Sequence, residues 1–489
     1  MRSNLADDPI PALVCSAARL TLEPSMSTDF AQPSIDEGAG SRAAGVDDRS
    51  DKVCVIGAGT SGLAAARRLL EAGIPFDCLE REEDLGGNWN YGQACSSVYA
   101  STHLISSKKL TEYPDFPMPE GWPEFPHHRL VLEYLRGFAS HFGLLEHIEF
   151  GAGIARVAPA SENPETSGWM VELESGQKRR YRAIVIANGH NWDPSLPNFD
   201  GEFDGLELHS GEYKTPDVLR DKRVLVVGGG NSGCDIAVES SLHAASTRLS
   251  LRRGYHFLPK FFHGTPIDVC GERLLWCRVP LPLRRIIAHV MMFFLQGPRL
   301  GTGLPKPDHK LFETHPTINS NLIYALRHGD LEIRPDIERL CGDRVRFTDG
   351  SEEPLEVIIY ATGFKLSFPF IDAEVLNWKE GRPELYLNVF HPQRHDLFVV
   401  GMIQPDSGQW GLVDWQSQVV AQYLVSKSHG ASAAERFEAR KRNTATKESI
   451  RYIDTSRHLV EVEHYSYRQA LKRERRKLRA GVRGQRVRA

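Results

Sequence analysis

The chain has 489 residues, 41% of them hydrophobic, with a formal net charge of -4 and eight cysteines. This length can bury a sizeable core divided among two or three domains, and the near-neutral balance argues against a general electrostatic attraction to nucleic acid. The cysteines are scattered with no CxxC pair, which removes the simplest dithiol-redox and zinc-ribbon chemistries; they read as reduced core thiols in a cytoplasmic setting.

In chain order, residues 1–50 are rich in Ala, Ser, Asp, Gly and Pro without periodicity or a secretory apolar run. A disordered segment is expected there, with Met26 as a second candidate start. From Lys52 the pattern is strand ("VCVIG"), glycine turn, helix ("LAAARRLLEAG") and strand ("FDCLER"), half of a doubly wound sheet. The Pro-rich "YPDFPMPEGWPEFP" (113–126) reads as a structured surface connection into an amphipathic helix, "RLVLEYLRGFASHF". A strand "RAIVIANG" (182–189) precedes a turn-rich link, and strand, glycine turn, helix and strand restart at Arg223.

The apolar run "IIAHVMMFFL" (286–295) has about half the ~20 residues that cross a bilayer, so no span is expected. It reads as a buried helix, the alternative being a helix in peripheral contact with a membrane surface beside Arg284 and Arg285. Two later runs, "EVIIYATGF" (356–364) and "LFVVGMI" (397–403), are expected to return to the first sheet. The C-terminal "RQALKRERRKLRAGVRGQRVRA" holds ten Arg or Lys against one Glu and reads as a solvated helix fraying into a tail.

The two glycine turns carry the chemistry. In a strand-GxGxxG-helix unit the first glycine permits the tight turn and the second admits a pyrophosphate to the backbone. The third lets helix and strand pack closely, with the helix N-terminus aimed at the phosphates. In the first copy Gly57, Gly59 and Gly62 are followed 23 positions after Gly57 by Glu80, whose carboxylate accepts from ribose hydroxyls and repels a 2′-phosphate. That turn calls for FAD or NAD. In the second copy Gly228, Gly230 and Gly233 are followed 24 positions after Gly228 by Arg252 and then Arg253, whose guanidinium groups offer paired donors to a phosphate. That turn calls for NADPH. Two unlike sites imply a flavoprotein that takes hydride from NADPH.

These elements predict an α/β protein of two doubly wound, Rossmann-like dinucleotide-binding domains, the NADPH domain inserted into the FAD domain. The FAD domain is expected over 51–215 and 339–445, the NADPH domain with a helical insert over 216–338, and a basic helix or tail over 446–489.

Five ordered stretches then match a family. "GAGTSGLAAARRL", "GGNWNY" (86–91), "FDGLELHSGEY" (203–213), "GGGNSGCDIAVE" and "YATGF" resemble the flavin-containing monooxygenases of the dimethylaniline monooxygenase type. Phe203, Gly205, His209 and Tyr213 stand at the spacing of that family's FxGxxxHxxxY fingerprint, and the likeness extends to "GMIQPDSGQWGLVDWQSQ" (401–418). The resemblance implies that Gly57, Gly59, Ser61, Gly62, Glu80, Gly87, Asn88 and Trp89 bind FAD. It places Gly228, Gly230, Asn231, Ser232, Gly233, Cys234 and Asp235 around NADPH beside Arg252 and Arg253, with Gly363 and Gln404 near the cofactors. His209 reads as a linker histidine bonded to backbone. The family's reaction, as the resemblance implies, is oxygenation of a soft nitrogen or sulfur nucleophile through a C4a-hydroperoxyflavin, using molecular oxygen.

One departure stands out. Where the family typically places an Asn that donates near flavin and nicotinamide, this chain has Ile105. Either Ser106 or a water supplies the missing hydrogen bond, or the protein releases hydrogen peroxide as an NADPH oxidase. His103, two residues away, has no assigned role. A Baeyer–Villiger oxygenation of a ketone and plain flavin reduction are the alternative functions, and a disulfide reductase is disfavoured by the missing CxxC. Region 255–335 departs most from a minimal dinucleotide fold and is expected to shape access. The amine, sulfide or ketone substrate and the oligomeric state are not legible.

Overall fold

The structure is a computed structural model that describes residues 45–161, 168–297, 301–315, 317–442, 452 and 459–486. Of the expected disordered segment, residues 1–44 lie outside the described residues, as do parts of the expected C-terminal tail. The strands of the two main sheets are β1 (Asp47–Ile56), β2 (Phe76–Leu79), β3 (Ile148–Glu149), β4 (Ile154–Pro159), β5 (Trp169–Leu173) and β6 (Lys178–Ile186). After them come β7 (Leu206–His209), β8 (Arg223–Val227), β9 (Ser246–Ser250), β10 (Glu332–Arg334), β11 (Val357–Tyr360) and β12 (Leu397–Val399). The principal helices are α1 (Thr60–Glu71), α2 (His128–His141), α3 (Asn231–Ser241), α4 (Ile267–Trp276), α5 (Leu281–Gln296), α6 (Trp410–Ser428) and α7 (His464–Arg486).

The first sheet runs β3-β2-β1-β6-β5-β4, with β12 added beside the second half of β6. β3, β2, β1, β6 and β12 are mutually parallel, and β4 and β5 form an antiparallel edge. Because side chains alternate across a strand, Val53 and Val55 face a core with Leu63 and Ala64 of α1 and Leu412 and Val413 of α6. Cys54 and Ile56 face the opposite core with Trp169 and Val171. Burial on both faces is why the parallel strands read as unbroken apolar runs. The second sheet, β10-β9-β8-β11-β7, is wholly parallel. Val224 and Val226 meet Cys234 and Ile236 of α3, while Leu225 and Val227 pack on Val345 and Phe347.

Three expectations are corrected. The strand at 356–364 does not return to the first sheet: β11 lies between β8 and β7, with Val357 opposite both Val224 and Leu206. An apolar strand buried on both faces carries no mark of its sheet, and only β12 returns. The helix over 286–295 is not buried, since Ile286, Val290, Phe293 and Phe294 are exposed. Nor is the C-terminal helix merely solvated; Tyr467, Leu471 and Leu478 of α7 join the first core, and Tyr467 Oη accepts from Gln416 Nε2 at 2.7 Å and donates to Leu387 O. Of the thiols, Cys54, Cys78 and Cys234 are core residues as expected, whereas Cys277 is exposed.

Candidate functional site: two matched glycine cradles

Both glycine turns sit at the carboxyl ends of parallel strands, where open α/β sheets place ligands. They are built alike. Gly57 N–H donates to Leu79 O (2.8 Å) at the end of β2, and Gly228 N–H donates to Ser250 O (3.0 Å) at the end of β9. Ala187 N–H donates to Ile56 O, and Ala361 N–H donates to Val227 O, each at 2.9 Å. Both first glycines have positive φ, 97° and 117°. A Cβ at Gly57 would lie 2.9 Å from Ala187 O, and one at Gly228 would lie 2.5 Å from Ala361 O. The third glycines carry the close helix approach: a Cβ on Gly62 would lie 1.7 Å from Gly57 O, and one on Gly233 would lie 2.0 Å from Gly228 O. "YATGF" is thus the second sheet's counterpart of "IANGH" at the end of β6.

At the first turn a cleft is lined by Gly57, Gly59, Ser61, Glu80, Gly87, Asn88 and Trp89. Gly62 stands behind them, packing α1 on the strand. The buried Glu80 carboxylate accepts from Ala58 N (2.6 Å) and Glu82 N (3.0 Å), which fixes it against the turn. Burial raises its pKa, opposed by those backbone donors. Asn88 Oδ1 accepts from Ser97 N and Ser97 Oγ, and Trp89 stands edge-on to Trp410 at 6.0 Å.

Further lining residues escape the glycine motif, among them Cys95, His190, Gly401 and Gln409. Gly401 follows β12 with φ 89°, and a Cβ there would lie 2.0 Å from Ser61 Oγ. Gln416 Oε1 accepts from Gly401 N, while Gln409 Nε2 donates to Gly401 O and Ile403 O. Burial holds the His190 imidazole neutral, pushed down to about 4. The glycine ending "LFVVG" was the available signal for this wall.

At the second turn Asn231 Oδ1 accepts from Ile318 N (2.8 Å), and Asp235 Oδ1 accepts from Asn319 Nδ2 (2.6 Å). Burial pushes Asp235 up to about 6, against the Lys260 charge and the Asn319 amide. Cys234 is buried in the core, so the structure uses these three side chains to hold the turn, while Ser232 is exposed in the first turn of α3. Gly230 supplies the extended residue before α3. Arg252 is exposed beyond β9 and has no ion pair among the described residues. Arg253 instead faces Asp308 (3.7 Å) and His309 and lies over the Tyr255 ring.

Ser106, Gly363 and Gln404 do not line the first cleft. Ser106 Oγ is 2.7 Å from Thr111 Oγ1, whose own proton goes to Ser107 O, so the Ser106 proton is committed to Thr111. Gly363 O accepts from His209 Nε2 (3.0 Å), and His209 Nδ1 accepts from Gly211 N (3.1 Å). Both ring nitrogens of the buried His209 therefore face backbone, as expected of a linker histidine. Gln404 pairs in a short parallel strand with Glu461. His103 is exposed and edge-on to His127 at 4.9 Å.

The helical insert reaches this region through one carboxylate. Asp268 Oδ2 accepts from Ser107 N (2.7 Å) and Ser107 Oγ (2.9 Å) and lies 3.4 Å from Ser407 Oγ. The insert is thereby joined both to the segment holding Ile105 and to the loop after Gln404.

Two sheets with parallel central strands, each with a glycine turn at its strand ends, one followed by a buried carboxylate and the other by an exposed guanidinium, have the form of two dinucleotide-binding domains, the architecture of an NADPH-using flavoprotein. Comparison with known proteins agrees. Residues 50–474 match the model of the family "Flavin-binding monooxygenase-like". The chain is 32% identical over 432 residues to rat flavin-containing monooxygenase 5, covering 84% of this chain and 80% of that protein. It is 34% identical over 375 residues to human flavin-containing monooxygenase 1, covering 72% and 70%. Among solved structures it is similar to the S-allyl-L-cysteine S-oxygenase of Allium sativum (TM-score 0.60, 20% identity, 89% of this chain and 93% of that one). A steroid monooxygenase bound to NADP is similar at TM-score 0.64 and 18% identity, with 87% and 97% covered. The chain belongs to the flavin-containing monooxygenase family, and it is an FAD-containing, NADPH-dependent enzyme.

Proposed function

We propose that this enzyme oxygenates a small molecule at a nucleophilic nitrogen or sulfur, consuming one NADPH and one O₂ per product, with FAD at the first cradle and NADPH at the second. The observation that carries the assignment is the matched pair of cradles with opposite charges at the ends of β2 and β9. A Cβ at 57, 62, 228 or 233 would strike the protein's own backbone, so these glycines are what lets each turn close against its helix in the form that holds a dinucleotide. FAD, when bound, supplies the electron transfer and oxygen activation. The chain's own residues position and protect it: Glu80 would accept from ribose hydroxyls, Arg252 would bind the 2′-phosphate, and Trp89 and His190 would wall the cleft against water. The FAD domain would comprise the first sheet, and the NADPH domain would comprise the second sheet, β7 and β11 included. Relatives named for N-oxide formation and for S-oxygenation support the substrate class.

A second reading, release of hydrogen peroxide without oxygen transfer, is favoured by one observation. Ile105 cannot donate a hydrogen bond, and the Ser106 proton is already committed to Thr111. Counting amine or sulfide oxide and peroxide formed per NADPH separates the two. Product near one per NADPH supports the oxygenase; peroxide alone, across amines, sulfides and ketones, refutes it.

A further inference from the structure

Lys214 directly follows the fingerprint tyrosine, and its half-buried ammonium has no carboxylate partner among the described residues. Its donors go to backbone carbonyls instead: Ser96 O at 2.6 Å, Val98 O at 3.3 Å and Gly211 O at 2.8 Å. An ammonium has three donors and no acceptor, so its bonding capacity is filled. Removing such a group from water is costly unless it is bonded in this way, and here the bonds come from two separate segments. The main chain adds to the tie, because Lys214 O accepts from Ala100 N (2.8 Å) and the Tyr99 and Tyr213 rings lie 5.6 Å apart. Residues 96–100 are thus fastened to 211–214 by side chain and backbone alike.

The two sides of this fastening lead to different cradles. On one side Ser96 Oγ donates to Asn88 O (2.8 Å), and Ser97 gives both its N–H and its hydroxyl to Asn88 Oδ1 (2.8 and 2.7 Å). Asn88 lines the first cleft, as does Cys95, the residue before Ser96. On the other side the buried Tyr213 donates to Glu239 Oε2 at 2.6 Å. Glu239 stands on α3, the helix that begins at the second glycine turn. Asn88, Ser97, Lys214, Tyr213 and Glu239 therefore connect the wall of one cradle to the helix of the other. Transfer between groups held at two such sites depends on their alignment, and a misplacement of about 1 Å can cost about a hundredfold in rate.

We propose that Lys214 is a positioning residue that holds the Asn88 wall of the first cradle in register with α3 at the second. The inference rests on the assignment of FAD and NADPH to these cradles and is independent of the fate of oxygen. Two measurements on Lys214→Met, which keeps an unbranched stem and removes the donors, test it. Hydrogen–deuterium exchange of the flavin-loaded protein should show the amides of residues 97–100 exchanging at least about tenfold faster than in wild type. Anaerobic mixing with NADPH, followed by flavin absorbance, should give a limiting reduction rate per bound flavin lower by about tenfold or more, with the NADPH dissociation constant within about twofold of wild type. A purely structural role would lower the melting midpoint and leave that limiting rate unmoved. Should Lys214→Met lose its flavin, Lys214→Arg carries the same two expectations at about threefold, because a planar guanidinium cannot aim three donors from one nitrogen. Unchanged exchange at 97–100 or an unchanged limiting rate, beside a wild type that NADPH reduces, would overturn the proposal alone. Wild type that NADPH does not reduce would refute the cofactor assignment and the proposal with it.

Discussion

Replacing Arg252 with alanine tests the second cradle most directly, because the structure separates it from its neighbour. Arg252 is exposed just past the end of β9 with no ion pair among the described residues, whereas Arg253 is turned to Asp308, His309 and Tyr255. A 2′-phosphate at that strand end would meet an uncommitted guanidinium only at 252. Charge-assisted hydrogen bonds of this kind contribute about 1.5–3 kcal/mol, and exposure with its salt screening favours the lower figure. About 1.5 kcal/mol is roughly tenfold in an equilibrium or a kcat/KM. Steady-state kinetics with both nicotinamides should therefore show Arg252→Ala losing about tenfold in kcat/KM for NADPH, with NADH changed by less than about twofold. Raising the salt should narrow the wild-type preference in the same direction. Arg253→Ala should leave the NADPH-to-NADH ratio near wild type. An unchanged ratio in Arg252→Ala, or a collapsed ratio in Arg253→Ala, would refute the assignment.

The two cradles should fail independently. Gly62→Ala drives a Cβ to 1.7 Å from Gly57 O, and moving backbone to relieve such overpacking costs about 1–3 kcal/mol or more, so purified protein should carry at least tenfold less FAD by absorbance. Gly233→Ala meets Gly228 O at 2.0 Å and should keep its flavin while raising the KM for NADPH. Asp268→Ala leaves the Ser107 N–H and hydroxyl without their shared acceptor; it should lower stability by about 1–3 kcal/mol and increase peroxide released per NADPH, and no change in either would mean the insert does not position that segment. Burial pushes the Asp406 carboxyl up to about 6, against its bond from His464 N. Since the folded state holds the proton more tightly than the unfolded chain, this group's favourable contribution is fully present below its unfolded pKa and is lost as pH rises through about 6. Asp406→Asn should then raise the melting midpoint above about pH 7, by at most about 3 kcal/mol in stability, and change it little near pH 4; an equal effect at both pH values would show that proton linkage is not the cause.

How far the sequence could be read depended on the range of the interaction. The glycine turns were legible because their requirements are local: a positive φ at Gly57 and Gly228, and no room for a Cβ at Gly62 and Gly233, are satisfied within a few residues of each turn. Glu80 and Arg252 follow at the next strand end, a spacing set by one helix and one strand. The cleft's remaining wall was not legible. His190 and Gly401 follow the ends of β6 and β12, more than 200 residues apart in the chain, and only the pairing of those two strands brings them together; Gln409, just before α6, is tied to that wall by its bond to Gly401 O.

The sequence by itself determined the two glycine turns and the charged residue that follows each at the next strand end, since backbone sterics and nearest strand neighbours act over short separations. Tertiary structure alone decided which sheet receives β11, because a strand buried on both faces looks the same in either. It also decided which side of α5 turns outward. An apolar run offers no reason to prefer water, yet here its arginines turn toward the protein, Arg284 to Glu463 and Arg285 to Glu313, acids on segments that folding brings to the helix.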